Sequence, residues 1–282
     1  MKPMIRTLLA ALVALSTSIS AFANDWHTIR FATEGAYAPW NFVEPNGQLA
    51  GFDIDVTHDL CRRMKADCQI VAQSWDGIIP ALNAGKYDAI TAAMVITPAR
   101  KAVVDFTIPY AVGARSFVVQ KSGPLAKVGE SQQVLLLDKD PQGVQKAVDA
   151  LKPALKGMIV GVQTATTHAQ FLDQFFKGVV QVREYKTSQD MMLDLSSGRI
   201  DAAFDGIAFI GGALDTPEGR ALTFIGPRFN GGLFGEGSAI TVRKGDTDLR
   251  DKLSAAIAAA RDDGTLSRLS MKWFHIDIAP KK

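Results

Sequence analysis

The chain has 282 residues, the length of about two ordinary domains, and its 47% hydrophobic and 21% charged residues exclude a mainly disordered or fibrous protein. The formal charge of +2 includes Lys2 and Arg6 in a leader segment, so Lys+Arg falls to match the 29 Asp+Glu once the leader is set aside. Without a basic excess or a block of Lys and Arg, the chain lacks the electrostatic footprint of a nucleic-acid or anionic-membrane binder.

Residues 1–23, MKPMIRTLLAALVALSTSISAFA, place two cations before an apolar run from Leu8 to Leu15 and end on Ala21-Phe22-Ala23. That is the pattern of a cleavable secretory signal. The apolar run is far short of the ~20 residues that a membrane span needs, and no later segment reaches that length. No Cys near the cleavage site offers a thiol for acylation, so the expected mature chain, from about Asn24, is soluble and exported.

Next comes an apolar strand at Thr28–Ala32, then a helix in which Val56, Leu60 and Met64 recur at helical spacing with Cys61 beside them. Cys61 and Cys68, in CRRMKADC, are the only cysteines, and export places them where a local disulfide persists. Two thiols are too few for a metal site, and His27, His58, His168 and His275 lack zinc-site spacing, which leaves them as surface or capping residues. A strand at Gln69–Gln73, a helix at 76–84, a strand at Asp88–Ile96 and a helix at 98–103 follow. Beyond them the pattern predicts strands at Ser116–Gln120, Met158–Gln163 and Val179–Glu184, with helices at 144–151, 167–177 and 188–197. Strands at Ile200–Phe204, Leu222–Ile225 and Ala239–Val242, then helices at 246–262 and 265–273, complete the chain. Strands alternating with helices at this pitch predict parallel α/β units.

An internal echo supports two similarly built lobes. LNAGKYDAI (Leu82–Ile90) and LSSGRIDAA (Leu195–Ala203) share a Leu, two small or polar residues, a Gly, a cation, one further residue and Asp-Ala. In each, Gly85 or Gly198 can end a helix in the left-handed conformation before a strand begins.

Several constellations could carry chemistry. After the apolar run that ends at Ile96, Thr97 is suited to cap a helix and Pro98 to open it, so Arg100 falls in a first helical turn as a bidentate donor for a carboxylate. The alternative is an Arg100 paired with a nearby acid such as Asp105. In GVQTATTHAQF the strand reaches Gln163 and a helix starts near Thr166 or Thr167, whose hydroxyls can either hold an anion or only cap the helix. Ligands of open α/β sheets bind beyond the carboxyl ends of strands, so two such starts could grip one ligand between them. Tyr37 and Trp75 lie just past strands, where rings make stacking walls, whereas Trp40 and Phe42 read as core packing. Glu34, beside Tyr37, could pair with a ligand cation. Nucleophile signatures such as G-x-S-x-G, S-x-x-K and HExxH are missing, and FNGGLFGEG lacks the residues of a phosphate loop, so its glycines read as a flexible crossing strand.

Gly35–Pro39, Gly51–Asp55, CRRMKADC, Trp75–Leu82, ITPAR, VDFTIPY, GVQTATT, SGRIDAAF and RDDGTLSRLSMKWF together resemble the periplasmic amino-acid-binding proteins of ABC importers, in their polar and cationic amino-acid branch. This branch includes histidine-binding, lysine/arginine/ornithine-binding and octopine- and nopaline-binding proteins. The resemblance spans essentially the whole mature chain. It implies a two-lobed α/β clamshell, with lobe 1 formed by 24–113 plus 236–282 and lobe 2 by 114–235. Two crossing strands near Val112–Ala114 and Phe234–Glu236 would act as the hinge. It further implies that Arg100 holds the ligand α-carboxylate with Thr166 and Thr167 as donors from the other lobe, that Tyr37 and Trp75 flank the ligand side chain, and that Glu34 meets its cationic end. Ala92, Ala93 and Gln163 complete the implied site, which needs no cofactor or metal. A monomeric periplasmic receptor serving an importer permease is the expected function.

The chain departs from that pattern in three places. Ala92, Ala93 and Val95 stand where the family usually offers serine hydroxyls, and Gly206 stands where it has an aspartate for the ligand ammonium, with Asp205 one residue early. Either Asp205 substitutes through a shifted turn, or the ligand is not a simple α-amino acid. Lys121–Lys156 is longer than the usual connection and reads as an added helix on lobe 2. An enzyme of the exported dehydratase kind is the rival class, with Glu34 as its single candidate acid or base. A sensor ectodomain is disfavoured by the missing second membrane segment.

Overall fold

A computed structural model of the chain describes residues 26–281, so the leader reading of 1–23 lies outside the described residues. Its first part runs β1 (Thr28–Thr33), β2 (Ala36–Tyr37), β3 (Asn41–Val43), β4 (Leu49–Ala50), α1 (Phe52–Met64), β5 (Asp67–Ala72), α2 (Ile78–Asn83), β6 (Ala89–Ile90), α3 (Pro98–Lys101) and β7 (Val104–Ala111). The middle comprises β8 (Arg115–Gln120), β9 (Glu130–Leu136), α4 (Pro141–Leu155), β10 (Ile159–Gln163), α5 (Thr167–Phe176), β11 (Gln181–Tyr185), α6 (Ser188–Ser196), β12 (Ala202–Gly206), α7 (Ile207–Leu214) and β13 (Leu222–Asn230). The chain closes with β14 (Ser238–Arg243), α8 (Thr247–Asp262) and α9 (Thr265–Phe274).

These elements build an α/β protein of two lobes, each around one sheet. The first sheet has the order β5-β1-β6-β14-β7 and the second β11-β10-β12-β8-β13-β9. In both, three parallel strands come first (β5, β1, β6 and β11, β10, β12) and an antiparallel strand, β14 or β8, follows. A small antiparallel sheet, β2-β3-β4, sits over α1.

The sequence echo is reproduced bond for bond. Gly85 and Gly198 both have positive φ, 76° and 70°. Their N–H groups donate to Leu82 and Leu195, and the following cations, Lys86 and Arg199, donate to Ala81 and Asp194 five residues back. Such paired bonds satisfy the orphan carbonyls at a helix end. The aspartates of the echo then fasten the next strand: Asp88 accepts from the N–H of Arg30 on β1 at 3.0 Å, and Asp201 from the N–H of Ile159 on β10 at 2.7 Å.

The second sheet packs on a cluster of aromatic rings. Phe171 of α5 stacks on Phe204 of β12 at 4.7 Å and meets Phe229 and Phe234 at 4.9 and 5.3 Å. Each fully buried ring contributes about 1.5–3 kcal/mol of transfer free energy. In the first lobe Trp40, Phe52 and Phe274 form the corresponding aromatic contact. The Cys61–Cys68 disulfide is present and ties the end of α1 to β5. Among the described residues no helix is long and apolar enough to cross a membrane.

Several readings change. The strand expected over Asp88–Ile96 is only Ala89–Ile90, because Ala93 turns into the left-handed region at φ 49° where the chain reaches the cleft. β7 lies outside the strands expected from the sequence, and its Pro109 is tolerated because at the sheet edge a proline costs no ladder bond. The 121–156 stretch adds a strand as well as a helix, with β9 pairing parallel to β13. FNGGLFGEG is a 3-10 turn, not a strand: Gly231 and Gly235 adopt positive φ, and a Cβ on Gly235 would lie 1.9 Å from the Ile96 carbonyl oxygen.

Candidate functional site

A cleft lies between the lobes. From the first-sheet side Glu34, Tyr37, Trp75, Ala92, Ala93 and Arg100 line it, and from the second side Gln163, Thr166 and Thr167 do. Nine of the ten residues singled out as binding residues therefore meet in one cavity. Asp205 does not line it.

Arg100 reaches the cavity as anticipated. The Thr97 hydroxyl accepts from the Arg100 N–H at 3.2 Å, with Pro98 at the first helical position. The guanidinium donates to the Val95 carbonyl at 3.0 Å and lies 5.2 Å over the Trp75 ring. Asp105 is not its partner; that carboxylate faces Lys244 and Arg250 at 3.5 and 3.8 Å. Burial, and then the charge of Arg115, lowers the Arg100 pKa to about 10, which still leaves it a cation at neutral pH.

Thr166 proves to be the cap of α5: its hydroxyl accepts from the Ala169 N–H at 3.2 Å and donates to the Gln163 carbonyl at 2.6 Å. Thr167, the first helical residue, is buried in the cavity wall outside that capping bond. Glu34 is 8% exposed and accepts from Gln163 Nε2 at 2.6 Å, a contact between the two lobes. Burial raises its pKa to about 7, opposed by the Gln163 bond and assisted by Asp205. Tyr37 donates to Asp205 Oδ1 at 2.6 Å, and Trp75 Nε1 donates to the Ala165 carbonyl at 3.3 Å. Asp205, fully buried, also accepts from the Ser188 hydroxyl at 2.6 Å. It thus supports Tyr37 from behind the cavity wall.

Behind Ala93 lies a second buried carboxylate. Asp53 accepts from the Tyr110 hydroxyl at 2.7 Å and from Asn41 Nδ2 at 2.8 Å, and the Ala93 N–H donates to that same Tyr110 oxygen at 3.1 Å. Burial lifts Asp53 to about 7 against the pull of those bonds. Asn41 in turn accepts from the Gly35 N–H at 2.7 Å, so one network holds both the Tyr37 loop and the Ala93 turn.

Sequence reasoning missed part of the wall. Trp40 lines the cavity as well as packing in the core, while Phe42 is only half-buried and faces Trp273 beside a separate groove. His168 is not a surface or capping residue; it sits in the wall, and burial drives its pKa down to about 4, so it is neutral at physiological pH. His275 and His58 do fit that reading, as the left-handed cap of α9 and an exposed residue. Arg115, at the start of β8, also lines the cavity. An arginine opening the apolar run RSFVVQ directly after the crossing segment was the signal available for it. Among the described residues no group of three or more His, Cys, Asp or Glu could hold a metal ion.

Two α/β lobes closed on a cleft of aromatic and charged side chains define a solute-binding protein of the clamshell class. The chain belongs to the bacterial extracellular solute-binding proteins, family 3, matched over residues 29–276. It is 42% identical over 271 residues to the octopine-binding periplasmic protein of Rhizobium meliloti, covering 90% of this chain and 92% of that one. The L-arginine-binding protein of Pseudomonas aeruginosa is 36% identical over 274 residues, with 96% of each covered. Among solved structures, a periplasmic His/Glu/Gln/Arg/opine family-binding protein from Silicibacter pomeroyi in complex with lysine aligns at TM-score 0.71 and 31% identity, covering 90% of this chain and 100% of that one.

Proposed function

We propose that this protein is the periplasmic receptor of an ABC importer, capturing a cationic amino acid or an opine and presenting it to the membrane permease. The observation that carries this reading is the polarity of the cleft: a buried guanidinium at Arg100, the Tyr37 and Trp75 rings, and a buried carboxylate at Glu34. Arg100 takes the α-carboxylate with the Thr167 hydroxyl beside it, the rings flank the side chain, and Glu34 meets the distal cation. Ala92 and Ala93 contribute backbone and a smooth floor. Gln163 orients Glu34, and Thr166 and Asp205 act through the helix start and through Tyr37. The function is capture, not catalysis, in keeping with relatives named as binding proteins.

The lobes divide as 24–113 plus 236–282 and 114–235, with crossings near Val112–Ala114 and Phe234–Glu236. A leader ending near Ala23 is removed on export, and the mature chain works as a monomer without nucleic acid. Mass spectrometry of ligand released from gently denatured protein tests the ligand class directly. Solution scattering tests closure: ligand should lower the radius of gyration. An unchanged curve at saturating ligand would sink the clamshell reading.

A further inference from the structure

The stretch 121–156 contributes no side chain to the cleft, yet its middle is built against the crossing between the lobes. β9 pairs with β13 as far as Leu136 and Asn230, and the Leu137 N–H then donates to the Asn230 carbonyl at 2.9 Å, where β13 gives way to the glycine-rich crossing. The next residues form a fixed corner. The N–H groups of Lys139 and Asp140 both donate to the Leu136 carbonyl, at 3.1 and 2.8 Å, and the Asp140 carboxylate accepts from the Gly143 N–H at 2.9 Å to cap α4. The crossing lies flush on that corner: a Cβ on Gly231 would lie 2.2 Å from Asp138 Oδ1, and one on Gly232 2.9 Å from the Leu137 Cβ.

Anchors on both sides leave one joint in each crossing. On the second-sheet side Phe234 is fully buried against the rings of Phe171 and Phe204. On the first-sheet side the Glu236 N–H donates to the Ile96 carbonyl at 3.4 Å and the Ile96 N–H to the Gly237 carbonyl at 2.9 Å, so bending concentrates at Gly235. In the other crossing the Val112 N–H donates to the Ile278 carbonyl at 2.8 Å and the Ala114 carbonyl accepts from the Ile207 N–H at 2.9 Å, which leaves Gly113 between them. Arg115 ties the two crossings together, its Nη1 donating to the Gly113 carbonyl at 2.6 Å and to Asn230 Oδ1 at 3.1 Å.

A second cavity lies behind this joint. Leu136, Asp138 and Lys139 line it from the second-sheet lobe, and Val112, Glu236 and Gly237 from the first. Gly113 walls both this cavity and the cleft, so the crossing runs between them. Two bodies turning about an axis approach on one side as they part on the other. Opening the cleft therefore narrows the rear cavity and carries the Asp138–Lys139 corner toward Val112 and Glu236.

We propose that the Asp138–Lys139 corner is a rear stop for the hinge, which limits how far the lobes open and so sets the share of closed protein before any solute arrives. The inference rests on the receptor reading above and concerns its lobe equilibrium, not its ligand. Such a stop acts on every solute alike, because apparent affinity scales with the binding-competent fraction whatever is bound. Residues of the cleft instead change one solute relative to another. Asp138 and Lys139 are exposed, and the bonds that shape the corner use backbone groups, so their side chains can be exchanged without disturbing the fold.

Lys139→Trp enlarges the stop, and the pair Asp138→Ala with Lys139→Ala shrinks it. Solution scattering on ligand-free protein, with thermal melts to confirm folding, should give the alanine pair a larger radius of gyration than the tryptophan variant. In calorimetry the tryptophan variant should bind arginine and octopine each at least ~5-fold more tightly than the alanine pair, the low end of coupling between sites, with the octopine-to-arginine ratio the same in both. Should Lys139→Trp not fold, Glu236→Trp adds bulk to the same cavity from the other lobe and carries the same expectation. Equal radii, equal affinities, or a larger radius in the tryptophan variant would overturn the stop. So would a changed ratio, which would mean that the corner acts on the chemistry of the cleft and not on the lobe equilibrium. Wild type that binds neither solute would overturn the receptor reading, while the ligand-free radii still decide the stop.

Discussion

Glu34 should make capture of a cationic ligand pH-dependent in a range where few carboxyls titrate. With the lobes closed and no cargo between them, burial holds it at about 7, because the Gln163 bond only partly offsets desolvation. A ligand cation placed on the carboxylate favours the charged form, so binding must drive off whatever proton is present. The sign follows: affinity is full above pH 7 and falls as pH drops through it. Measured against that closed, cargo-free form with its pKa of about 7, the loss approaches ~10-fold per pH unit below 7, or about 1.4 kcal/mol per unit. The same arithmetic gives release of roughly half a proton per ligand at pH 7 and roughly 0.9 at pH 6. Calorimetry in buffers of different ionisation enthalpy counts those protons directly. Glu34→Gln should flatten the profile and weaken ligands with a distal cation, while sparing ligands with a neutral far end. A flat affinity profile for arginine between pH 5.5 and 8 with no proton released would refute the pairing of Glu34 with the ligand cation.

Three further outcomes follow from the same structure. Arg100→Ala should abolish binding of every carboxylate ligand, a loss of about 2–5 kcal/mol for an enclosed charged contact, read by calorimetry; wild-type affinity in that variant would mean the site is misplaced. Ligand-free protein should melt at higher temperature at pH 6.5 than at pH 8, because Asp53, raised to about 7 among partners of its own lobe, binds a proton in the folded state that the unfolded chain does not. The gain is about 0.8 kcal/mol, and the neutral His168, held near 4, offsets about 0.4 kcal/mol of it at pH 6.5, where an unfolded imidazole is half protonated; a higher melting temperature at pH 8 would contradict the assignment. Replacing Cys61 and Cys68 by alanine should cost roughly 2–3 kcal/mol for so short a loop, measured by urea unfolding, and two titratable thiols in the native exported protein would refute the bridge.

What could be read from the chain was what is local. Thr97 and Pro98 fix a helix start within four residues, so Arg100 was placed correctly. Gly85 and Gly198 mark helix ends by a backbone conformation that only glycine adopts cheaply, so the repeated architecture was visible too. What escaped were properties set by partners distant in sequence. Asp205 and Tyr37 are 168 residues apart, and only folding decides that this carboxylate faces a phenol instead of the cavity. The roles of Arg115 and His168 depend likewise on which lobe wall they meet, and α7, IAFIGGAL, is apolar on every side and carries no helical period.

The same side chains that line the cleft also join its two halves. Tyr37 to Asp205, Glu34 to Gln163 and Trp75 to the Ala165 carbonyl each cross from one sheet's side to the other, and each begins at a residue assigned to the ligand. Tyr37 also stacks on Phe209 of α7 at 4.5 Å. A receptor needs its closed form to depend on cargo, and sharing donors and rings between cargo and closure achieves that without a separate latch. A ligand that holds Tyr37, Trp75 and Glu34 in these rotamers removes the entropy cost of ordering them for closure. A ligand that displaces any of them weakens a crossing contact directly. Closure and recognition are therefore one equilibrium, and selectivity arises from how well a solute preserves those three contacts as well as from how tightly it is itself bound.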